Sequence, residues 1–396
     1  MDKLARRQFF KNLIATAGVA GMAAGRGNRS IAAPAPVLAY DGPRVIIVRF
    51  GGGVRRRETI DADHSYAPYL AGELLKRGTL FSDMRISTME GLNTSHGEGT
   101  LNILTGKYDR YESVDRAFLS ERFEAKVPTL FEYLRKAYAV PDHQTLIING
   151  EDRTQEEFYS FSNHHLFGAA FRSNVLSLYR YKTHVLRSPS AAGKYSGAEL
   201  SARRRELEKM ERLDLRGGAE LIGQGVEIET YWERWRELYG DTGLKNPRGD
   251  RLLTELAARA IQQLRPRLMM INYNDPDYVH WGNLSHYTRG ITIIDEGVRR
   301  LMEVVNADEE YRGNTIFALV PDCGRDTSPF ASVPCQHHFN SVSSRRIWAL
   351  FVGPGIPEGE VDDREVQQID FAPTIAKLMG CPAAHPDGSD REPASA

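Results

Sequence analysis

Five short apolar runs punctuate the chain: PRVIIVRF, TLII, RLMMINY, TIFALV and IWALFV. None shows the alternation of a half-exposed strand, so each predicts a strand buried on both faces, as in a parallel sheet covered by helices. Between them lie segments of helical period. VPTLFEYLRKAYAV carries Leu130, Leu134 and Ala137 on one face and ends in a turn at Pro141 and Asp142. RLLTELAARAIQQL, ITIIDEGVRRLMEVV and FAPTIAKLM repeat the pattern further on. This order predicts an α/β fold with a mostly parallel central sheet flanked by helices, and no internal repeat competes with that reading.

From about 151 to 250 the pattern changes. The aromatic-rich EEFYSFSNHHLFGAAF gives way to the charge-dense AELSARRRELEKMERLDLR, with opposite charges at helical spacings. We read this stretch as an inserted helical cap, its charge run as a solvated helix face and its aromatics as core. His164 and His165 are secondary site candidates there. With 396 residues in all, one elaborated domain over 39–396 accounts for the length.

The start of the chain adds an address. Arg6 and Arg7 in ARRQFFK precede the small, apolar LIATAGVAGMAA, which is the pattern of a twin-arginine export signal. Ala32, Ala33 and Ala39 offer cleavage points, placing the leader at 1–38 and the mature start within 33–41. The apolar run is too short for a convincing span, so the mature protein is expected to be periplasmic or secreted, without a stable membrane span, and to have the twin-arginine machinery as a transport partner. The 51 Lys+Arg against 52 Asp+Glu leave a formal net charge of -1, which gives no support to a nucleic-acid or anionic-membrane partner. Three cysteines, Cys323, Cys335 and Cys381, are too few for a disulfide framework, although Cys323 and Cys335 are close enough in sequence to pair.

Polar clusters accompany three of the apolar runs: NDPDYVHWG after RLMMINY, PDCGRD after TIFALV, and CQHHFN ahead of IWALFV. Strand ends of such a sheet converge on one rim. Carboxylate oxygen with imidazole nitrogen suits zinc, manganese or iron better than calcium. Asp61, Asp63 and His64 in DADH lie downstream of the RFGGG loop and read as an exposed loop, with substitute metal ligation as the alternative. Ser95 and Glu98 fit an S-x-x-E capping box.

With these clusters in order, the chain resembles the alkaline phosphatase superfamily, and within it a twin-arginine-exported, sulfatase-like bacterial branch. RFGGG, NTSHGEGTLNILTG, PDCGRD, CQHHF and VGPGIPEG carry the resemblance across nearly the whole mature chain. It implies a metal site on Asp277, His280, Asp322 and His338, with Cys323, His337 and His96 as further ligand candidates, for one or two divalent transition-metal ions, zinc foremost. NTSHGEGTLNILTG resembles the superfamily's nucleophile turn, with Ser95 or Thr94 as the hydroxyl. Counting back from Thr105 by the usual sulfatase spacing lands instead on His96. Two departures matter: the first strand ends in RFGGG where relatives place a metal-binding Asp, and Cys323 stands where they have a second histidine. The sulfatase-type Cys-x-Pro-x-Arg motif is absent. The expectation is a metal-dependent hydrolase of phosphate or related esters, acting on a small-molecule or glycan-linked anionic ester through a metal-activated Ser, Thr or water. The alternatives are a non-catalytic or weakly catalytic binding or assembly relative with a degraded metal site, and a sulfohydrolase without formylglycine.

Overall fold

β1 (Arg44–Phe50) lies in the interior of a nine-stranded sheet, all seven of its residues buried or nearly so in a computed structural model of the chain. The other strands are β2 (Gly78–Arg85), β3 (Thr145–Ile148), β4 (Asn174–Leu176), β5 (Leu268–Tyr273), β6 (Thr315–Val320), β7 (Arg346–Val352), β8 (Glu360–Asp362) and β9 (Val366–Gln367). Their order is β4-β3-β5-β1-β6-β7-β2-β8, with β9 also on β2. Pairing is parallel from β4 through β6 and antiparallel on both sides of β7. The structure describes residues 38–89, 91–108, 125, 127–150, 164, 166–188, 195–213, 225–244, 249–280, 284–327, 336–337 and 339–382. His165, Cys335, His338 and the expected leader apart from Leu38 lie outside the described residues.

Helices of eight residues or more are α1 (His96–Thr105), α2 (Leu130–Tyr138), α3 (Leu178–Arg187), α4 (Gly197–Leu213), α5 (Val226–Tyr239), α6 (Asp250–Leu264), α7 (Leu284–Ala307) and α8 (Phe371–Leu378). The pleat sends Ile46, Val48 and Phe50 of β1 to a core shared with Leu253, Ile261, Ile291 and Val298 of α6 and α7. Val45 and Ile47 go to the opposite core with Ile103, Leu134 and Ile375 of α1, α2 and α8. Both faces are therefore covered, which is why β1 reads as a continuous apolar run. Each such buried aliphatic side chain contributes about 1.5–3 kcal/mol.

The described part of the stretch expected as an inserted helical cap also contributes to the sheet and the core. Asn174–Leu176 extends the main sheet as its edge strand β4, and Tyr181, Val185, Ile228, Trp232 and Trp235 of α3 and α5 join the same core as α6 and α7. Only α4 matches the solvated-face reading, with most of its residues exposed. β2 escapes sequence reading because its register against β7 shifts between Phe81 and Met84, which breaks any regular alternation. Among the described residues no helix is long and apolar enough to cross a membrane.

Asp295 on α7 illustrates how buried carboxylates serve the fold. Its Oδ2 and Oδ1 accept from the backbone N–H groups of Tyr69 and Leu70, at 2.9 and 2.8 Å, in the first turn of the short helix Pro68–Gly72. Burial raises its pKa to about 6 despite those two bonds. A carboxyl raised in the folded state binds its proton more tightly there, so its contribution to stability is greatest in acid and is lost as pH rises through about 6. Wild type should therefore gain on Asp295→Asn by roughly 1–3 kcal/mol as pH falls from about 7 to about 4, measured by urea unfolding. A pH-independent difference would show that Asp295 titrates normally.

Candidate metal centre

β5, β1 and β6 are parallel neighbours, so the loops at their C-terminal ends share one rim. The loop after β1 contributes Gly51–Gly53, the one after β5 a single turn over Asp275–Tyr278, and the one after β6 the segment Pro321–Arg325. Gly52 has φ +87°, and a Cβ on it would meet the backbone nitrogen of Asp277 at 2.5 Å. Only glycine lets these loops close so tightly. Arg325, fully buried, ties them together: Nε donates to Gly53 O at 2.8 Å, Nη1 to Val279 O at 2.7 Å, and Nη2 to Gly52 O and Pro276 O at 2.5 and 2.8 Å.

α1 brings its N-terminus to the same place. Ser95 is its N-cap: the Ser95 hydroxyl accepts from Glu98 N at 3.3 Å and donates to Glu98 Oε2 at 3.4 Å, while Glu98 Oε2 accepts from Asn93 N at 2.9 Å. The Thr94 hydroxyl is 1% exposed at residue level and donates to the backbone carbonyl of His337, with Asn340 Oδ1 at 3.2 Å and Ser344 Oγ at 3.4 Å. Both candidate nucleophiles are thus engaged in capping and loop closure. His96 opens the helix and spans the cleft between the strand loops. Its Nδ1 lies 2.7 Å from Asp322 Oδ2 and its Nε2 2.7 Å from Asp277 Oδ1. Gly99, one turn on, permits this approach, because a Cβ there would fall inside contact distance of the Asp322 carbonyl oxygen.

Three imidazoles surround one oxygen. Asp277 Oδ1 lies 2.7 Å from His96 Nε2, 2.9 Å from His280 Nε2 and 3.4 Å from His337 Nε2. The outer nitrogens of two of them face neutral acceptors: His280 Nδ1 is 2.9 Å from Gln336 Oε1, and His337 Nδ1 is 2.9 Å from Thr94 O. Such acceptors hold the proton on Nδ1 and leave Nε2 as a lone-pair donor. Asp322 is fully buried; its Oδ1 accepts from Cys323 N at 2.7 Å and Gly53 N at 3.3 Å, and its Oδ2 from Gly52 N at 3.4 Å.

The electrostatics follow from that geometry. Burial opposes charge on all three groups, yet His96 is held well above the usual imidazole range by Asp277 and Asp322, and both carboxylates lie well below theirs, chiefly through His96. Cys323 is a free, buried thiol with Sγ 4.0 Å from His96 Nδ1, pushed up to about 12 by burial and then by the Asp322 charge. Cys381 is also a free, buried thiol. Two sets of donor atoms, each within 4.8 Å of one another, could hold an ion: His96, Asp277 and His337, and His96, Asp322 and Cys323.

Of the residues singled out from sequence, Asp277, His280, Asp322, Cys323, His337 and His96 converge here. His338 lies outside the described residues. His164 packs elsewhere, its backbone N–H bonded to Glu132 Oε1 at 2.8 Å and its Nδ1 accepting from Leu166 N at 3.3 Å. Asp61 Oδ2 and His64 Nδ1 pair at 3.0 Å within an exposed turn that Asp63 N closes onto Asp61 Oδ1 at 3.2 Å. Sequence reasoning passed over Arg49, Arg325 and Gln336. Arg325 was visible in PDCGRD, but nothing local says that its guanidinium folds back under two other loops.

No sequence-family model matches the chain, and no curated protein matches it by sequence. Solved structures do. A protein of the alkaline phosphatase superfamily from Vibrio parahaemolyticus is similar with TM-score 0.52 and 16% identity over 90% of this chain and 71% of that one. A 2-O GAG sulfatase is similar with TM-score 0.52 and 11% identity over 88% and 73%. A mutant of the alkaline phosphatase PafA is similar with TM-score 0.53 and 10% identity over 89% and 99%. The chain therefore has the fold of the alkaline phosphatase and sulfatase superfamily, as the ordered motifs imply.

Two substitutions test how the rim is held. Arg325→Met leaves buried carbonyls without their donor and should lower stability by about 3–5 kcal/mol in urea unfolding. Less than about 1 kcal/mol would mean that the loops close without it. Gly99→Ala should cost about 1–3 kcal/mol through overpacking against Asp322, whereas Gly72→Ala, with open space at its Cβ, should not. Equal thermal midpoints for the two variants would remove the close approach of α1 as a constraint.

Proposed function

We propose that this chain is an exported, metal-dependent hydrolase of phosphate or related esters. The observation that carries the reading is the convergence of three imidazole Nε2 atoms on Asp277, with the outer nitrogens of His280 and His337 turned to neutral acceptors. That donor set of one carboxylate and imidazole nitrogens fits zinc, with manganese or iron as alternatives. Asp277, His280 and His337 would hold the ion, and His96 lies within reach of the same place. The group would supply a Lewis acid for the ester oxygen and a lowered pKa for an attacking water.

The protein's own residues do the rest. Gln336 and the Thr94 carbonyl orient His280 and His337. His96 lies between Asp277 and Asp322 at the start of α1, where the helix terminus favours an anion. These features suit an anionic ester, small or glycan-linked. Water rather than a side-chain hydroxyl is the proposed nucleophile, because the Ser95 hydroxyl caps α1 and the Thr94 hydroxyl is buried on the His337 carbonyl. The Arg6 and Arg7 leader supports delivery to the periplasm or beyond by the twin-arginine machinery. The sulfatase and phosphatase activities named for proteins of this fold place sulfate and phosphate esters first among the substrates to try.

Metal analysis of the purified mature protein, with a screen of aryl phosphate monoesters, diesters and aryl sulfates, tests this. Chelator-stripped protein should lose turnover and regain it with zinc or manganese. His280→Ala and His337→Ala should each weaken zinc binding by about tenfold to a hundredfold or more, since each removes a direct donor. Absence of both bound metal and metal-dependent turnover would leave a binding or assembly module on a hydrolase fold.

A further inference from the structure

The acidic pair at the strand ends is not evenly available to metal. Asp277 faces imidazole nitrogens, whereas Asp322 is committed to the protein itself. Its two oxygens take bonds from Gly52 N, Gly53 N, Cys323 N and His96 Nδ1, which uses the lone-pair directions a carboxylate has. Beside it lies a cation that is part of the chain. Arg49, at the end of β1 and fully buried, places Nη1 3.8 Å from Asp322 Oδ2 and donates from that nitrogen to Thr100 Oγ1 at 2.8 Å. Its Nη2 reaches Tyr273 O at 3.3 Å and Asn274 Oδ1 at 3.4 Å, and Asn274 Nδ2 in turn donates to Asp277 Oδ2 at 3.3 Å. A guanidinium does not give up its proton in proteins, so this charge is permanent.

The loop after β1 offers backbone N–H groups and no carboxylate. The Cys323 side chain belongs to the apolar core under α1 and lies against the Cα side of Gly53, where an added Cβ would meet Sγ at 3.3 Å. A divalent ion on Asp322 would have to displace backbone N–H bonds, two at Oδ1 or one at Oδ2, and sit beside a fixed positive charge in a site with little water to screen it.

We propose that the centre binds one divalent ion, on Asp277, His280 and His337, and that the permanent guanidinium charge of Arg49 supplies beside Asp322 the positive charge that a second ion would otherwise bring. This rests on the metal-dependent reading above and specifies its stoichiometry and ligands. Arg49 is then a positioning residue: it holds Asp322 and, through Asn274, the Asp277 carboxylate that meets the ion.

The test uses the mature chain, stripped with chelator and titrated with Zn²⁺ alone, with bound metal counted by elemental analysis after desalting and affinity taken from calorimetry. One equivalent per chain is expected. Asp277→Asn should weaken that equivalent at least a hundredfold, whereas Asp322→Asn should change its affinity less than tenfold and leave the count at one. The Co²⁺ form should lack a thiolate-to-metal charge-transfer band, since Cys323 stays outside the ion's ligands. Two equivalents in the wild type, a Co²⁺–thiolate band, or loss of the ion from folded Asp322→Asn as complete as from Asp277→Asn would each overturn the proposal while leaving metal-dependent hydrolysis standing. No zinc at all would overturn both. Should Asp322→Asn fail to fold by circular dichroism, the wild-type count and the cobalt spectrum decide the matter.

Discussion

Two carboxylates can lie at the C-terminal rim of this sheet only because their loops are held against one another, and the guanidinium of Arg325 does that holding. It leaves the loop after β6 and donates to carbonyls of the loops after β1 and β5. Parallel strands need no particular geometry beyond their last paired residue, so without such a tie the three loops would be free to splay. The planar fork of arginine matches the task, since it reaches four acceptors from one rigid group where a lysine ammonium has three donors at a single point. The glycines of the β1 loop complete the closure by removing the side chains that would keep Gly52 and Asp277 apart.

Closing the rim creates an electrostatic problem that the rest of the centre answers. Asp277 and Asp322 are largely desolvated, and two such anions in proximity would destabilise the fold severely if left alone. His96 lies between them with a nitrogen on each, and Arg49 sits near Asp322 from below. The cost of burial is offset by charges the chain carries itself.

Much of this was legible in the chain. The five apolar runs are β1, β3, β5, β6 and β7, because strands covered on both faces leave an unbroken hydrophobic signature. β4, β8 and β9 are two or three residues long and give periodicity nothing to register. The clusters at Asp277, His280 and Asp322, and the CQHHF pair from which the sequence reading put His338 ahead of His337, could be gathered because each neighbours a recognisable strand. The part that stayed hidden is the non-local part. Arg49 reads as a flaw in an apolar strand, Arg325 as one more charge in a polar loop, and Gln336 as filler beside two histidines; their roles appear only when segments far apart in sequence are brought together, 56 residues for Gln336 and His280 and 225 for Arg49 and Asn274. The N-cap role of Ser95 was visible, but the Glu98 carboxylate of the expected capping box reaches the Asn93 N–H instead of that of Ser95.

That geometry gives the start of α1 an unusual division of labour. The first helical residue presents an imidazole toward the strand loops, one position after the hydroxyl that caps the helix. Ser95 satisfies the helix's own unpaired N–H groups, leaving the next residue free of capping duty. The Gly99 contact then sets how far that residue reaches, since the helix can approach the Asp322 backbone until its Cα surfaces meet and no further. Position 96 is thus set by backbone packing on one side and by Arg325-closed loops on the other. An imidazole held in that way has two usable nitrogens in fixed directions, and each meets a carboxylate. The same constraint that assembles the rim therefore also determines that His96, rather than a hydroxyl, is the group from α1 that meets the two carboxylates.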